Sequence, residues 1–302
     1  MRQNKRIKNF FSVYLHNKYF LLFICIIICI ACSQLSIFNT SHIPKSISFQ
    51  NYESIKLPLI PDKINYCSFS KTFLLLNKSE NIIYRVDCNG KILQKIGEFG
   101  FEKNQFLNIS DISTDSFGNL FVVDKISNKV VKYDEMGQFV NSVTFFELTK
   151  PELIAVKDNG GLILYDSPTN EIYCFDNRSK LRYNFGKFIL NNPDQIMTSN
   201  IANYILDKGN NNIIVFDDFG GIITTIETKN ELVNIYIAQD ILYYIDSAND
   251  IFCYKIPGNI KYKLDTLTDS IPITKPRLII IYEEKIGIVD KNTLYIFQLT
   301  FK

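Results

Sequence analysis

The side chains that most often transfer protons or bind transition metals are nearly absent from this 302-residue sequence. Its two histidines are His16 and His42, both close to the amino terminus. Histidine is the commonest general base and transition-metal ligand because its pKa lies near neutrality and its neutral ring offers a lone pair. Residues 43–302 therefore cannot supply a Ser-His-Asp triad or a histidine-bound zinc site.

Calcium chemistry needs only carboxylate and amide oxygens. Asp115, Glu152, Asp158 and Asp194 lie in predicted loops and are candidate ligands. Because Asp is also a standard turn former, we interpret these carboxylates as turn and surface residues. We therefore expect no catalytic residue, no metal ligand and no cofactor, with a calcium ion kept as the alternative.

Residues 43–302 contain four cysteines, Cys67, Cys88, Cys174 and Cys253. Cys174 and Cys253 occupy the same position of a repeated motif, two repeats apart, and should not pair. Cys67 and Cys88 share one repeat and could form a disulfide in an oxidising compartment. No spacing matches a zinc knuckle or a redox motif. We expect buried free thiols.

A heptapeptide of the form Asn-x-aliphatic-apolar-x-apolar-Asp occurs six times, at intervals of 38 to 47 residues. Its copies begin at Asn81, Asn128, Asn170, Asn211, Asn249 and Asn292. The closing aspartate is present in the first four copies, as Asp87, Asp134, Asp176 and Asp217. The fourth and sixth positions are always apolar and share one face of a strand, because side chains alternate along a strand. Each copy is therefore predicted to be a β-strand of a repeat protein.

A second apolar strand precedes each heptapeptide and ends in Asp or Asn, as at Asp124. The heptapeptide is followed by turn residues, for example Asp134 to Gly137, with the Asp and Gly positions of a type I turn. Four strands in about forty residues is the period of a β-propeller. The period-two pattern excludes helical repeats, and a β-sandwich has no reason to repeat one motif six times.

The last repeat offers three strands within residues 277–301, and an extended segment, residues 46–57, precedes the first repeat. We predict an all-β fold, a single six-bladed β-propeller of four-stranded blades over residues 45–302. Part of the amino-terminal segment would supply the missing strand and close the ring, since an open edge would otherwise remain.

Residues 1–31 have the order of a secretory signal peptide. Five cations and no acidic residue precede or flank the apolar run 19–31, which is shorter than the roughly 20 residues of a spanning helix. Without this leader the chain has 28 Lys and Arg against 31 Asp and Glu, so its basic pI does not indicate a nucleic-acid partner.

The sequence Cys29-Ile30-Ala31-Cys32 resembles the lipobox of bacterial lipoproteins, although Cys29 stands where leucine is usual. The resemblance implies that Cys32 carries the lipid, that residues 32–44 form a tether, and that the protein is anchored to a membrane of the cell envelope. Ser33 favours the outer membrane or the periplasmic face. An uncleaved membrane anchor is the alternative, because apolar character returns within residues 35–38.

The stretches 97–106, 109–124 and 128–139 resemble an NHL repeat, with a glycine-rich lead ending in Gln-Phe, then Gly-Asn before a hydrophobic strand, then Asp-x-x-Gly. The chain is similar to six-bladed, NHL-like propeller lipoproteins of Gram-negative bacteria. That resemblance implies a fold and a location. Related zinc-dependent lyases use histidine ligands, which residues 43–302 lack, whereas calcium-dependent lactonases need only oxygen ligands.

The function we expect from the sequence is that of a non-catalytic envelope lipoprotein, not an enzyme. Its propeller would bind or scaffold a protein, peptide or glycan, because a stiff ring presents variable loops. The alternative is a calcium-assisted lactonase or hydrolase at the mouth of the central channel. A purely structural envelope component cannot be separated from the binding hypothesis by sequence.

Overall fold

The computed structural model describes residues 43–256, 258–267 and 271–301. These residues form six four-stranded antiparallel sheets, and none of them forms a helix able to cross a membrane. The predicted propeller with six blades of four strands is confirmed. The predicted signal peptide, Cys32 and both histidines lie outside the described residues.

Blades 1 to 3 follow one another along the chain. Blade 1 contains β2 (Lys63–Cys67), β3 (Thr72–Asn77), β4 (Ile82–Val86) and β5 (Ile92–Ile96). Blade 2 contains β6 (Ile109–Thr114), β7 (Leu120–Asp124), β8 (Lys129–Tyr133) and β9 (Phe139–Thr144). Blade 3 contains β10 (Pro151–Val156), β11 (Leu162–Asp166), β12 (Glu171–Phe175) and β13 (Leu181–Phe185).

Blades 4 to 6 repeat the pattern. Blade 4 contains β14 (Pro193–Thr198), β15 (Asn203–Asp207), β16 (Asn212–Phe216) and β17 (Ile222–Glu227). Blade 5 contains β18 (Leu232–Ala238), β19 (Ile241–Asp246), β20 (Asp250–Lys255) and β21 (Ile260–Thr266). Blade 6 contains β22 (Pro276–Tyr282), β23 (Lys285–Asp290), β24 (Thr293–Thr300) and, from the start of the chain, β1 (Ser46–Lys56).

β1 lies beside β24 in antiparallel register, with Ser46 opposite Thr300 and Lys56 opposite Thr293. The register shifts between Ser48 and Glu53, where β1 bulges. The side chain of Ile55 is buried in the cluster that blade 6 shares with blade 1. The two ends of the described chain thus meet in one sheet.

The hydrophobic core lies between the blades. The second strands β3, β11, β15 and β19 are buried along their whole length, whereas the outermost strand β9 is half to fully exposed. Neighbouring blades cover both faces of each second strand, which explains the nearly continuous apolar runs in the sequence. Burying one such leucine or isoleucine contributes roughly 1.5–3 kcal/mol.

The first strand of each blade surrounds the axis, because first strands contact the first strands of the neighbouring blades. At the same register position, each carries an isoleucine that is at most 4% exposed and packs between the blades. These residues are Ile64, Ile112, Ile154, Ile196, Ile235 and Ile279. The six isoleucines fix the innermost strands and so hold the side chains that line the channel.

Candidate functional site

One end of the central channel opens into a polar cavity of about 620 Å³, here called the funnel. All six blades contribute to its wall, through the starts of the innermost strands and nearby loops. Its cationic side chains are those of Lys63, Lys78, Lys208, Lys275 and Arg277. Its carboxylates are those of Asp62, Asp111, Asp194 and Glu231. A concave site of this volume suits a small molecule.

Below the funnel the channel narrows to a void of about 10 Å³. Ile64, Met197 and Tyr236 are among the side chains that line it. A void of this size holds about one water molecule. The funnel therefore ends in a constriction, and a ligand would enter from one end of the ring.

The floor of the funnel is a ring of equivalent positions, one from each blade: Lys63, Asp111, Leu153, Gln195, Asn234 and Leu278. In five blades the preceding residue forms a β-bulge, which re-aims the neighbouring side chains. Gln195 accepts a hydrogen bond from the Ile235 N–H at 2.9 Å, and Asn234 accepts one from the Ile279 N–H at 2.9 Å. Gln195 and Asn234 thus each link their own blade to the next one at the funnel floor.

Lys63 and Asp111 form an ion pair at the floor of the funnel. The Lys63 Nζ lies 2.7 Å and 2.9 Å from the two carboxylate oxygens of Asp111. The Asp111 side chain is 3% exposed and also accepts the Ile154 N–H at 3.0 Å. An ammonium group has three donors, so one N–H of Lys63 remains for a ligand in the funnel.

Some of the other charged side chains of the funnel form ion pairs and others do not. Asp194 lies 3.0 Å from the Lys208 Nζ. Lys275 and Arg277 are exposed and have no carboxylate within ion-pair distance among the described residues. This side of the funnel therefore has an excess of positive charge, which favours an anionic ligand.

The four candidate calcium ligands do not converge. Glu152 and Asp194 lie at the funnel end, each beside a lysine, with the Lys150 Nζ 3.0 Å from Glu152. Asp115 and Asp158 lie in turns at the opposite end of the ring. The described residues contain no group of three or more acidic, cysteine or histidine side chains that could hold a metal ion.

In blades 2 to 6 the second strand ends in an aspartate that fixes the loop leading into the innermost strand of its blade. Asp124 accepts the Leu107 N–H at 2.8 Å, and Asp207 accepts the Asn191 N–H at 2.8 Å. Asp290 accepts the Thr274 N–H at 2.7 Å. Burial opposes ionisation of Asp290, but the hydrogen bonds from Thr274 and Lys275 outweigh it and lower the pKa of the carboxyl.

The repeated asparagines connect one blade to the next. Asn81 accepts the Ile109 N–H at 2.7 Å and donates to the Leu107 carbonyl at 3.0 Å. Asn81, Asn128, Asn170, Asn211 and Asn249 have positive φ of 49° to 64°. In the last repeat Lys291 takes the left-handed position, and Asn292 instead accepts a hydrogen bond from Lys56 of β1 at 2.7 Å.

The repeated aspartates hold turns at the opposite end of the ring. Asp87, for example, accepts the N–H groups of Asn89 and Lys91, each at 2.9 Å. Asp134, Asp176 and Asp217 make the same pair of bonds in blades 2, 3 and 4. The structure gives these side chains a role in the turns, away from the funnel.

None of the four cysteines of the described residues forms a disulfide. Cys67, Cys174 and Cys253 are buried, and burial raises the pKa of Cys174 to about 11 and of Cys253 to about 12. Cys88 is exposed, contrary to the expectation that all four are buried.

Apart from Asp194 and Asn249, the funnel residues were missed from the sequence because they share no residue type. A signal was nonetheless present: Lys63 and Asp111 directly precede the isoleucine that recurs in each innermost strand. Aligning the six segments on that isoleucine would have placed both side chains in one ring.

No protein-family model matches the sequence, so the resemblance to NHL repeats stays a prediction. The protein brain tumor of Drosophila melanogaster is 27% identical to this chain over 139 residues. The match covers 43% of this chain and 13% of that protein, so the chain spans a small part of its relative.

Several solved propellers align with most of the chain. Virginiamycin B lyase from Staphylococcus aureus has a TM-score of 0.58 and 17% identity, covering 83% of this chain and 99% of the lyase. A catalytically inactive His-to-Ala variant of that lyase with quinupristin gives a TM-score of 0.56 at 17% identity, over 83% and 99%. The Myceliophteria thermophila Cps50 (Swd1) propeller domain gives 0.54 at 10% identity, over 84% and 100%.

These solved lyases contradict our prediction that the propeller is a non-catalytic binding or scaffolding module and not an enzyme, so that prediction is wrong. It depended on the missing histidines and overlooked the lysine and carboxylate groups that the fold gathers in the funnel. Likeness at this level of identity shows the fold alone, a six-bladed ring of four-stranded sheets.

Proposed function

We propose that the protein is an enzyme that hydrolyses an ester or lactone bond in a small anionic substrate bound in the funnel. The observation that supports this proposal is the funnel itself. It is a concave, charged cavity lined by residues of all six blades, and the channel below it is constricted. Polar side chains that converge in a well-formed concave cavity are the default hypothesis for an active site. The enzymes among the solved propellers support a catalytic role.

Lys63 is the proposed oxyanion stabiliser. Asp111 holds two of its donors in place, and the Ile154 N–H holds Asp111. The remaining N–H can donate to the carbonyl oxygen of the substrate as negative charge develops there. Such a preoriented donor is worth about 10²–10³ in rate.

The base is proposed to be a funnel carboxylate without an ion pair. Glu231 is exposed at the funnel wall and has no cation within ion-pair distance among the described residues. A free carboxylate can take a proton from an attacking water, and the departing alkoxide is then protonated from solvent. Arg277 and Lys275 would bind the carboxylate of the substrate, since guanidinium and ammonium groups donate charge-assisted hydrogen bonds.

The test is hydrolysis of nitrophenyl esters and lactones that bear a carboxylate, compared with their neutral counterparts. We expect faster hydrolysis of the anionic series, a loss of about 10²-fold or more in kcat for Lys63→Met, and a raised KM for Arg277→Gln. Lys63→Arg keeps a cation beside Asp111 and controls for folding. Lys91→Gln, in a turn at the opposite end of the ring, should not change the rate.

Added calcium and a chelator distinguish the mechanisms. Activity that neither calcium nor the chelator changes supports lysine-based chemistry. In that mechanism Asp111 and Asp194 need no metal ion, because each already lies beside a lysine. Activity that appears only with calcium would replace it with the calcium-assisted mechanism. No hydrolysis of any ester or lactone by the wild-type chain would overturn the proposal.

We propose in addition that residues 1–31 are a signal peptide, that Cys32 is lipidated, and that residues 32–44 tether the propeller to the cell envelope. The cationic start, the apolar run 19–31 and the small Ala31 before Cys32 support this assignment. Metabolic labelling with a fatty acid should mark the wild-type chain and not Cys32→Ser. A labelled Cys32→Ser variant would contradict it.

A further inference from the structure

A second cavity, of about 180 Å³, lies between blades 2 and 3 and shares no lining residue with the funnel. It is here called the interblade cavity. Its apolar wall consists of Phe121, Val130, Val143 and Leu162. Its other lining residues are Lys132, Asn141, Gly160, Asn177 and Ser179. Apolar side chains with a few polar groups among them are the usual lining of a small-molecule site.

The interblade cavity lies at a place where other pairs of blades are closed. In blades 1, 2 and 4 the turn after the third strand has glycine at its fourth position: Gly90, Gly137 and Gly220. A Cβ atom on these glycines would overlap the outermost strand of the preceding blade, at Lys56, Gln94 and Phe185 respectively. Blade 3 has Ser179 at this position. Ser179 and two residues of the preceding outermost strand, Asn141 and Val143, instead line the cavity.

Ser179 has the same left-handed backbone as those glycines, with a φ of 61°. Its N–H donates to the Asp176 carbonyl at 2.9 Å, so the turn is the same as in the other blades. This conformation is unfavourable for a residue that has a Cβ atom. The Ser179 hydroxyl has no hydrogen-bond partner among the described residues, although the side chain is half-buried. Local backbone strain of this kind clusters at binding sites, and the hydroxyl is available to a ligand.

Lys132 is the charged side chain of the cavity lining. It occupies the fifth position of the repeated heptapeptide, as Arg85 does in blade 1. Arg85 reaches the next blade and donates to the Glu135 carbonyl. Among the described residues, the Lys132 ammonium has neither a hydrogen-bond acceptor nor a carboxylate partner, and it lies 5.2 Å from the centre of the Phe121 ring. An ammonium group has three donors, so a ligand in the cavity can accept from it.

The turns that border the interblade cavity do not neutralise Lys132. Residues 157–161 carry Lys157 and Asp158, and residues 176–180 carry Asp176, Arg178 and Lys180. Even with Lys157 paired to Asp218 of blade 4, these turns have no excess of negative charge. Strand β9, on the other side, has no charged residue. The charge of the cavity therefore favours an anionic ligand.

We propose that the interblade cavity binds a small organic carboxylate whose apolar body is about the size of benzene. The carboxylate accepts charge-assisted hydrogen bonds from Lys132 and a hydrogen bond from the Ser179 hydroxyl. The body packs against Phe121, Val130 and Leu162. A cavity of about 150 Å³ is large enough to bind benzene. The proposal does not depend on the activity of the funnel.

The test is a ligand-observed NMR titration of the full chain with benzoate and with benzamide, its neutral counterpart. We expect benzoate to bind about tenfold or more tightly than benzamide, because hydrogen bonds to charged groups are the stronger ones. Lys132→Met should lower the affinity for benzoate to that for benzamide. The matched control is Lys95→Met, which should not change either affinity. The Lys95 Nζ also lies 5.2 Å from an aromatic ring, that of Tyr84, but does not line the cavity.

Ser179→Gly provides a second variant, since glycine stands at this position in three other blades. It should weaken benzoate binding about two- to tenfold by removing the hydroxyl. It should also raise the thermal midpoint, because glycine adopts the left-handed backbone without strain.

The cations of the funnel could also attract benzoate, and Arg277→Gln distinguishes the two sites. Benzoate binding that Lys132→Met leaves unchanged, or that Arg277→Gln removes, would place benzoate outside the interblade cavity and overturn the proposal. Equal affinity for benzoate and benzamide would overturn it as well, as would the absence of benzoate binding by the wild-type chain.

Discussion

At the scale of single residues, Cys88 differs from the other three thiols of the described residues because solvent reaches it. A thiolate reacts only where it can form and be approached, and burial raises the pKa of Cys174 to about 11. We expect a maleimide to modify Cys88 in the native protein and Cys67, Cys174 and Cys253 only after unfolding, as read by peptide mass spectrometry. If Cys88 reacts only after reduction, it is paired with Cys67 and the free-thiol assignment is wrong.

Asp290 should make stability depend on pH at acid values. Hydrogen bonds from Thr274 and Lys275 lower its pKa in the folded state, so its contribution is complete above the unfolded pKa near 3.8 and is lost as the pH falls below that value. Asp290→Asn should lower the free energy of unfolding by about 1–2 kcal/mol at neutral pH, as for other charge-assisted bonds, and by less at pH 3. Denaturant titrations at both pH values measure this.

The matched control for Asp290 is Asp158→Asn, since Asp158 is exposed in a turn at the other end of the ring. It should not change the free energy of unfolding by more than about 0.5 kcal/mol. An Asp290→Asn effect that stays constant from neutral pH to pH 3 would show that its carboxylate charge is not involved.

Residues whose type recurs in each repeat could be identified from the sequence, and residues whose type differs between repeats could not. Asn81 and Asp124 stood out because their type returns at the same place in most repeats, where the backbone needs the same bond each time. Lys63 and Asp111 occupy equivalent positions but differ in type, and their pairing depends on neighbouring blades meeting at the axis. That proximity comes from closing the ring, and no local pattern encodes it.

At the scale of elements, strand β1 can be tested by its buried face. Ile55 is 8% exposed and lies opposite Leu294 of β24. If β1 supplies the fourth strand of blade 6 in solution, Ile55→Ala should cost about 2–4 kcal/mol of unfolding free energy. Glu53→Ala, on the same strand but exposed, should cost less than about 0.5 kcal/mol. Equal, small effects would show that β1 does not pair with β24.

The strands were predictable and their irregularities were not. The extended segment predicted over residues 46–57 contains β1, Ser46–Lys56. Closure of the ring by this strand stays a prediction, which Ile55→Ala tests. The bulges at the start of five innermost strands have no sequence signature here; proline occupies the first position in three of them and isoleucine or leucine in the others. Since these bulges aim the funnel side chains, the site could not be drawn from strand prediction alone.

At the scale of the whole molecule, the gathering of the funnel charges at one end of the ring was invisible in the sequence. Connections that lie on one face alternate along the chain with connections that lie on the other, so the net charge of any segment averages both. Only the propeller topology sorts them. The propeller topology brings the funnel cations from blades 1, 4 and 6 to one end of the ring.

The closed ring should unfold as one unit, and substitutions in distant blades test this. Leu76 packs in the cluster between blades 1 and 2, and Leu206 packs in the cluster between blades 4 and 5, both fully buried. Each leucine-to-alanine change should cost about 2–5 kcal/mol. In an open array each repeat contacts only its neighbours and can unfold separately, whereas in a ring with β1 and β24 in one sheet every blade has two neighbours. We therefore expect a single thermal transition in both variants. Its midpoint temperature should fall by about 2–4 °C for each kcal/mol of unfolding free energy lost, and far-ultraviolet and tyrosine circular dichroism should give the same midpoint. Two transitions, of which Leu76→Ala moves one and Leu206→Ala the other, would show that the blades are not coupled around the ring.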